Sequence, residues 1–481
     1  MSENQNSSPG PSPLADLSLR HCLIYAMPHI AVMWLMSPLG VVQGIYAKYY
    51  GLSLVTLATV LSLGRFVDVI LDPLVGYCSD RYYERHSTRK PFMAVGGLLF
   101  LVGAWALFIP PETITTAYLV IWLMVFYLGF TLWEIPHVTW GGELAPGSEA
   151  KTRIYSVRAM ALQVGVALFF IIPLLPLFNS REITPETLRV TVWLAGALLL
   201  VLLPLCLSLT PNGPRSLAKQ RSHQPSTPTN PAANHRKTLW LTLLKNQPMQ
   251  IFLAAFLFSM MGSGMWNGLL FIYVDTYLGL GEQFAGMTLF SIATVLCAIP
   301  LLTPLASRFG KKAVWLLAMV LVLISLLYTA TLEVNNTDFT QLILLNTLFA
   351  LGQAGMSVIP AAVLSEIIDY HRWKHDQSQD AVFFSSFIFT SKLSGTVGFA
   401  LGLAIAGWFG FDPAQTAHSA ESVQGLMLAM VWIPLVLCVI ATVFVAKLPI
   451  NARRHRIIRR RLDSQPNTRA PVYAEPSLSS C

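Results

Sequence analysis

Apolar residues run through this chain in stretches of about 18–25, long enough to cross a bilayer as helices. Short polar or Gly/Pro-rich turns separate them. The stretches fall near 20–46, 54–78, 92–109, 117–140, 155–178, 188–209, 248–275, 283–305, 312–331, 340–364, 383–409 and 422–447. The pattern predicts an all-α, polytopic membrane protein of twelve helices. Between the sixth and seventh stretches, Thr210 to His235 carries Pro211, Pro214, Pro225, Pro228 and Pro231 among Ser, Thr and Asn, the composition of a flexible linker. The expected organisation is a disordered tail over 1–18, a six-helix bundle over 19–209, a cytoplasmic linker over 210–247, a second six-helix bundle over 248–447 and a basic cytoplasmic tail over 448–481.

Composition supports this reading: 54% of the 481 residues are hydrophobic and only 12% are charged, against about 25% charged in a soluble domain. The net charge of +8 does not point to nucleic acid, because the cations sort by loop. One alternating set of loops holds Arg81, Arg85, Arg89 and Lys90, then Lys151 and Arg153, then Arg308, Lys311 and Lys312, while the other set offers only Lys48 and Arg181. By the positive-inside rule both termini are cytoplasmic, and a bacterial inner membrane is the expected location. The opening residues, through Asp16, lack the apolar core of a cleavable signal.

The second stretch is unusual because its middle reads Gly64-Arg65-Phe66-Val67-Asp68-Val69-Ile70-Leu71-Asp72-Pro73. An ionised side chain at the centre of a spanning helix costs roughly 2.5–3.5 kcal/mol, so such groups need partners or an ion. Spacings of three and four place Arg65, Asp68 and Asp72 on one helical face. Two carboxylates one turn apart repel, and a proton or a bound cation relieves the repulsion. Across all spans the deep charges are Arg65, Arg158 and Lys392 against Asp68, Asp72 and Glu134, a balanced set expected to meet in one central cavity with Arg65 as the partner of the two aspartates.

The two halves echo each other: Gly76-Tyr77-Cys78-Ser79-Asp80-Arg81 follows the second helix, and Ser307-Arg308-Phe309-Gly310-Lys311-Lys312 follows the eighth. Repeats of this kind are the layout of transporters built from related halves. Gly76-x-x-x-Asp80-Arg81 resembles the loop signature of the major facilitator superfamily. More specifically, the run from Arg65 to Gly76 resembles the Arg-x-x-Asp-x-x-x-Asp-Pro-x-x-Gly of the glycoside-pentoside-hexuronide:cation symporters, the melibiose permease family. Glu366-Ile367-Ile368-Asp369-Tyr370, the later Lys392-Leu393-Ser394-Gly395 and Glu134-Ile135-Pro136 are similar to further motifs of that family, in order along nearly the whole chain.

The resemblance implies the major facilitator fold and cation-coupled symport of a sugar or glycoside. It implies Asp68 and Asp72 as cation-site acids, Lys392 as the lysine beside them and Glu134 as a sugar-binding acid. From the residues themselves, Thr131 can add a hydroxyl ligand, and Leu71 supplies none, which leaves proton and sodium both open. Helix 1 has no acid between Leu23 and Tyr46, where galactoside carriers of the family place one; Tyr25-Ala26-Met27-Pro28-His29 stands there instead. Arg158, His29, Trp133, Trp266 and Asn267 complete the expected substrate contacts, aromatic faces and an amide being what a pyranose needs.

Asp80, Arg81, Arg85, Glu366, Asp369 and Arg372 form two mixed-charge turns that can act as a cytoplasmic gate. His371 and His375 have the spacing of a metal pair, but no third ligand accompanies them, so no metal site is expected. No cofactor beyond the coupling proton or sodium is expected. The expected partners are a small-molecule substrate and the lipid bilayer, with no nucleic acid. No nucleophile with its base and no phosphate loop is present, which excludes an enzyme reading. Two alternatives stand beside sugar symport: a facilitator-type carrier of a lipid, drug or organic acid, and a non-transporting membrane sensor.

Overall fold

In the computed structural model, residues 18–145, 148–211, 246–375, 380–415 and 417–449 are described. Nearly all of the expected tails and linker lies outside them. Among the described residues there is no strand, and twelve helical segments are long and apolar enough to cross a membrane.

The helices are α1 (Leu19–Met36), α2 (Val42–Tyr50), α3 (Leu54–His86), α4 (Lys90–Phe108), α5 (Thr116–Leu144), α6 (Ser148–Ile171) and α7 (Pro185–Leu209) in the first half. The second half holds α8 (Gln247–Ile272), α9 (Gly281–Phe309), α10 (Lys311–Thr329), α11 (Phe339–His375), α12 (Asp380–Trp408), α13 (Ala420–Met427) and α14 (Ile433–Lys447). Side-chain caps start several of them, where the first backbone N–H groups have no partner inside the helix. Ser53 accepts from the Thr56 N–H at the head of α3, and Thr184 and Thr187 form a reciprocal capping box at α7.

The first apolar stretch does not continue to residue 46 as one helix. It gives way to a 3-10 turn over Ser37–Gly40, and α2 follows separately. Pro38 explains the break, since proline removes a backbone donor and crowds the preceding turn. In the other direction, α3 and α11 overrun their apolar stretches to His86 and His375. Their polar last turns therefore stand at the membrane face that also receives the ends of α1 and α14.

Within the first half α4 packs on α5, α1 on α6 and α7, and α3 on α5; within the second, α8 packs on α12 and α14, and α11 on α9 and α10. Small residues permit the closest approaches. A Cβ on Gly129 of α5 would lie 2.3 Å from the Phe100 nitrogen of α4, and one on Gly398 of α12 would lie 2.0 Å from the Met261 oxygen of α8. In a bilayer, where lipid tails are as apolar as Leu, this backbone proximity is a main source of helix association.

The halves meet chiefly through α3 with α12 and α6 with α9. At the end remote from the termini, Lys48 of the first half pairs with Asp275 of the second at 2.9 Å and lies 3.7 Å from Glu182. Nearby, Ser180 donates to Glu282 at 3.0 Å, and the Gln43 amide donates to the Gly268 carbonyl at 3.1 Å. These bonds close that end of the interface. Asp275 sits in a π-helical turn over Tyr273–Tyr277 that extends α8.

Each half also carries a brace at the opposite end. The Arg89 guanidinium, buried just before α4, donates to Glu143 at the end of α5 at 2.9 Å, to Asp80 at 2.5 Å and to Ser79 at 2.7 Å. In the second half Lys311, at the start of α10, pairs with Glu366 near the end of α11 at 3.0 Å. Burial alone would lower the Arg89 pKa, but the Glu143 and Asp80 carboxylates outweigh it and raise the value.

Candidate functional site

The one-turn spacing on α3 delivers Asp68 and Asp72 to the face that meets α12. Thr131 of α5 donates to one Asp68 oxygen at 2.9 Å. From the other half, the Lys392 ammonium reaches the second Asp68 oxygen at 3.5 Å and binds Asp72 more closely still. Asp68 and Thr131 are buried, whereas Asp72 and Lys392 retain partial exposure. A primary ammonium thus holds two carboxylates at the seam between the halves, and the Thr131 hydroxyl adds an oxygen beside them.

Arg65 does not partner the aspartates. Its guanidinium lies 5.4 Å from the centre of the Tyr127 ring, and no carboxylate of a described residue lies within ion-pair distance of it. The expected pairing fails because Lys392, arriving across the seam, takes the positions next to both acids. Helical spacing brings Arg65 to the same face of α3, but one to two turns nearer the closed end.

Beside this group opens a cavity of about 650 Å³ walled by both halves. Arg65, Tyr127, Trp266, Asn267, Gln353 and Lys392 are among its walls. The Trp266 ring stacks on Phe349 at 3.7 Å, and the Asn267 amide donates to the Ser263 carbonyl at 2.8 Å.

The remaining deep charges form a second cluster inside the first half, so the six do not converge on one point. Glu134 of α5 is paired with Arg158 of α6, and the His29 ring nitrogen lies 3.8 Å from the other Glu134 oxygen. Arg158 also reaches His137 at 3.5 Å. His137 and Tyr25 clasp each other twice, the Tyr25 hydroxyl donating to the His137 carbonyl at 2.7 Å and the His137 ring meeting the Tyr25 carbonyl at 3.0 Å. Trp133 is fully buried with its ring stacked on His137 at 4.5 Å, and it does not line the cavity. Neither do Glu134, Arg158 or His29. Thr131 and Glu134 are one turn apart on α5, so the two clusters adjoin along that helix.

The expected gate residues sit in the braces of their own halves. Asp80 is held by Arg89, Arg81 donates to the Tyr77 hydroxyl at 2.9 Å, and Glu366 is held by Lys311. Arg85 lies in the last turn of α3 and Asp369 nearly two turns before the end of α11, and the side chain of Arg372 falls outside the described residues. The bonds between the halves described above lie at the Lys48 end and at Lys392. Sequence reasoning missed Asp275, Tyr127 and Gln353. An acid in the last turn of the seventh apolar stretch, opposite the isolated cation Lys48, was the available signal for the first of these.

Twelve spanning helices in two sets of six, with an ion-paired seam beside a two-sided polar cavity, define a membrane transport protein. The chain belongs to the family described as MFS/sugar transport protein, whose match covers residues 24–452. It is similar to the uncharacterized symporter YjmB of Bacillus subtilis, 24% identical over 390 residues, or 79% of this chain and 81% of that protein. It is also similar to the isoprimeverose transporter of Lactiplantibacillus pentosus, 21% identical over 401 residues, or 81% of this chain and 80% of that one. A crystal structure of a D-xylose-proton symporter shares the fold, with a TM-score of 0.63 at 16% identity over 89% of this chain and 96% of that chain. The protein is accordingly an integral membrane transporter of the major facilitator superfamily and not an enzyme.

Proposed function

We propose that the protein is a symporter that couples a proton or sodium ion to the movement of a sugar or glycoside by alternating access, with both termini in the cytoplasm. The observation that carries this reading is the Lys392 ammonium of one half held by Asp68 and Asp72 of the other. Lys392 stands where a mobile cation would stand. When a proton or sodium ion occupies the aspartates, the lysine loses its reason to stay, and a bond across the seam is released. Ion loading is thereby tied to how the halves sit, which is what coupling requires.

The sugar half of the proposal rests on the cavity. Its size suits a mono- or disaccharide, and Asn267 and Gln353 offer amides for hydroxyl groups, while the buried Trp266 ring, stacked on Phe349, backs the wall. Relatives named as symporters and as a sugar transporter support the same class. For sodium, Asp68, Asp72 and Thr131 supply oxygen ligands and Leu71 adds none; for a proton, the two carboxylates suffice. The orientation follows from the basic loops, which share the membrane face of the termini.

The test is uptake of radiolabelled pentoses, hexoses and their glycosides into inside-in vesicles under an imposed proton gradient, an imposed sodium gradient, or neither. Accumulation under one gradient supports the reading and identifies the ion. Equal uptake with both gradients collapsed refutes coupling.

A further inference from the structure

The helices α9 and α10 are joined by a tight turn at Gly310, and both lean on α11. Where they part, a groove of about 530 Å³ opens on the exposed surface of the second half. Ala318 of α10 and Gly355 of α11 keep its floor low: a Cβ on Gly355 would lie 2.6 Å from the Ala318 Cβ. One wall is a single stripe of α9, formed by Phe290, Thr294, Cys297, Leu301 and Leu305. Leu301 is 66% exposed and Leu317, on the opposite wall, 49%. At this depth of two spanning helices, the medium that meets them is hydrocarbon. The groove offers almost no polar handle, since the Thr294 hydroxyl is spent on the Phe290 carbonyl at 2.9 Å.

The stripe has a charged continuation. Arg308 follows Phe290 by 18 residues, five full turns, so it stands in line with the groove one turn beyond Leu305. It is exposed, and no carboxylate of a described residue lies within ion-pair distance of it. The turn from Ser307 to Lys312 carries three cations and no acid. Lys311 is taken by Glu366 at 3.0 Å, and Lys312 donates to the Ala446 and Leu448 carbonyls at 2.7 and 2.9 Å. Those bonds also place the turn at the membrane face where the last helix ends. From Phe290 to Leu305 the groove runs about 22 Å, more than half of the roughly 30 Å hydrocarbon core. An alkyl chain entering beside Arg308 can lie in it through the whole depth of its own leaflet. Its headgroup phosphate then meets the guanidinium, which suits a phosphate with its fork of N–H donors. A zwitterionic headgroup would bring its own ammonium to a turn already rich in cations, so one of net negative charge is favoured.

We infer that the groove between α9 and α10 is a binding site for an anionic glycerophospholipid, whose acyl chain fills the groove and whose phosphate headgroup is held by Arg308. The site lies apart from the transport cavity, and the inference holds whatever the transported substrate or the coupling ion.

The full-length protein, purified in detergent and exposed to phosphatidylglycerol with a photoreactive diazirine in one acyl chain, decides it. Labelling is expected in the peptides spanning 290–305 and 314–321. Unlabelled phosphatidylglycerol should displace the probe at least about fivefold more strongly than phosphatidylcholine with the same acyl chains. Arg308→Gln should remove that headgroup preference while the chain still binds, and Arg308→Lys should keep much of it. Cys297→Trp, which fills the groove without changing its charge, should abolish the labelling. Equal competition by the two lipids, or a label spread evenly over all spans, reduces the groove to ordinary bilayer contact and overturns the inference; this comparison needs only the wild-type protein. A dimer that Cys297→Trp converts to a monomer, seen by native mass spectrometry, gives the face to a second copy and overturns it as well.

Discussion

The clasp at the closed end permits a graded test of what holds this conformation. Lys48 binds Asp275 at 2.9 Å, with the Asp275 side chain 1% exposed and Lys48 27% exposed, while Glu182 stands further off at 3.7 Å. Asp275→Asn replaces a charge-assisted hydrogen bond, worth roughly 1.5–3 kcal/mol, with a neutral one worth about 0.5–1.5 kcal/mol. The Glu182 contact, longer and between two partly exposed side chains, contributes at most about 1 kcal/mol. The closed end should lose roughly 1–2 kcal/mol, a shift of about 5–30-fold toward opening. Lys48→Met is harsher, since it strands a buried carboxylate, and removing one partner of such a pair costs roughly 3–5 kcal/mol. The partial exposure of Lys48 places the expected effect at the lower end of that range. Combining the two substitutions removes the stranded charge, so the double variant should open less than Lys48→Met alone. Spin labels at Tyr49→Cys and Asn336→Cys, both exposed at this end on opposite halves, would report the distance in a background with Cys78, Cys297 and Cys481 replaced by Ser. A long-distance population growing in the order wild type, Asp275→Asn, Lys48→Met is expected. Identical distributions in all three, or a larger effect of Asp275→Asn, would refute the clasp. On Lys48, burial alone would lower the pKa, but the bond to Asp275 outweighs it and raises the value above its ordinary 10.5. The clasp is thus fully present below that value and is lost only as pH rises through the raised pKa, so distances should not change between about pH 6 and 9.

Asp72→Asn should abolish cation-driven accumulation while the purified protein keeps its helical circular dichroism; full accumulation in this variant would remove the residue from the coupling site. Arg89→Met leaves Glu143 buried without its cation and should destabilise the first half by about 3–5 kcal/mol, read as a lower melting temperature in detergent, whereas Arg89→Lys should recover part of the loss. Gly129→Ala forces α4 and α5 apart and should cost roughly 1–3 kcal/mol. Gly40→Ala, with nothing within 4 Å of its added Cβ, should melt with the wild type.

Most of the architecture is legible in the chain because a bilayer admits so few solutions: an apolar stretch long enough to span becomes a helix that satisfies its own backbone. What escaped was local or relational. Pro38 divided the first stretch, and the polar ends of α3 and α11 continued as helix beyond the apolar core. Helical spacing correctly set Asp68 and Asp72 on one face, but spacing within α3 could not reveal that Lys392 of α12 would reach them before Arg65. That choice is made by packing between halves, to which no periodicity within one helix refers. Whether the gate residues meet across the seam likewise depends on which end of it is closed, and no single helix encodes that. Trp133 could have stacked on a sugar or on His137 equally well as far as the sequence went, and the 4.5 Å ring contact decides for the histidine.

The two braces occupy equivalent stations: Arg89 precedes the third span and grips Glu143 at the end of the fourth, while Lys311 precedes the ninth and grips Glu366 near the end of the tenth. Such correspondence is what a repeated six-helix unit would show, with an arginine fastening in one copy and a lysine in the other. Each half therefore carries its own fastening. Two open reading frames, one per half, should for that reason yield polypeptides that fold separately and reassociate through the Lys392 and Lys48 contacts.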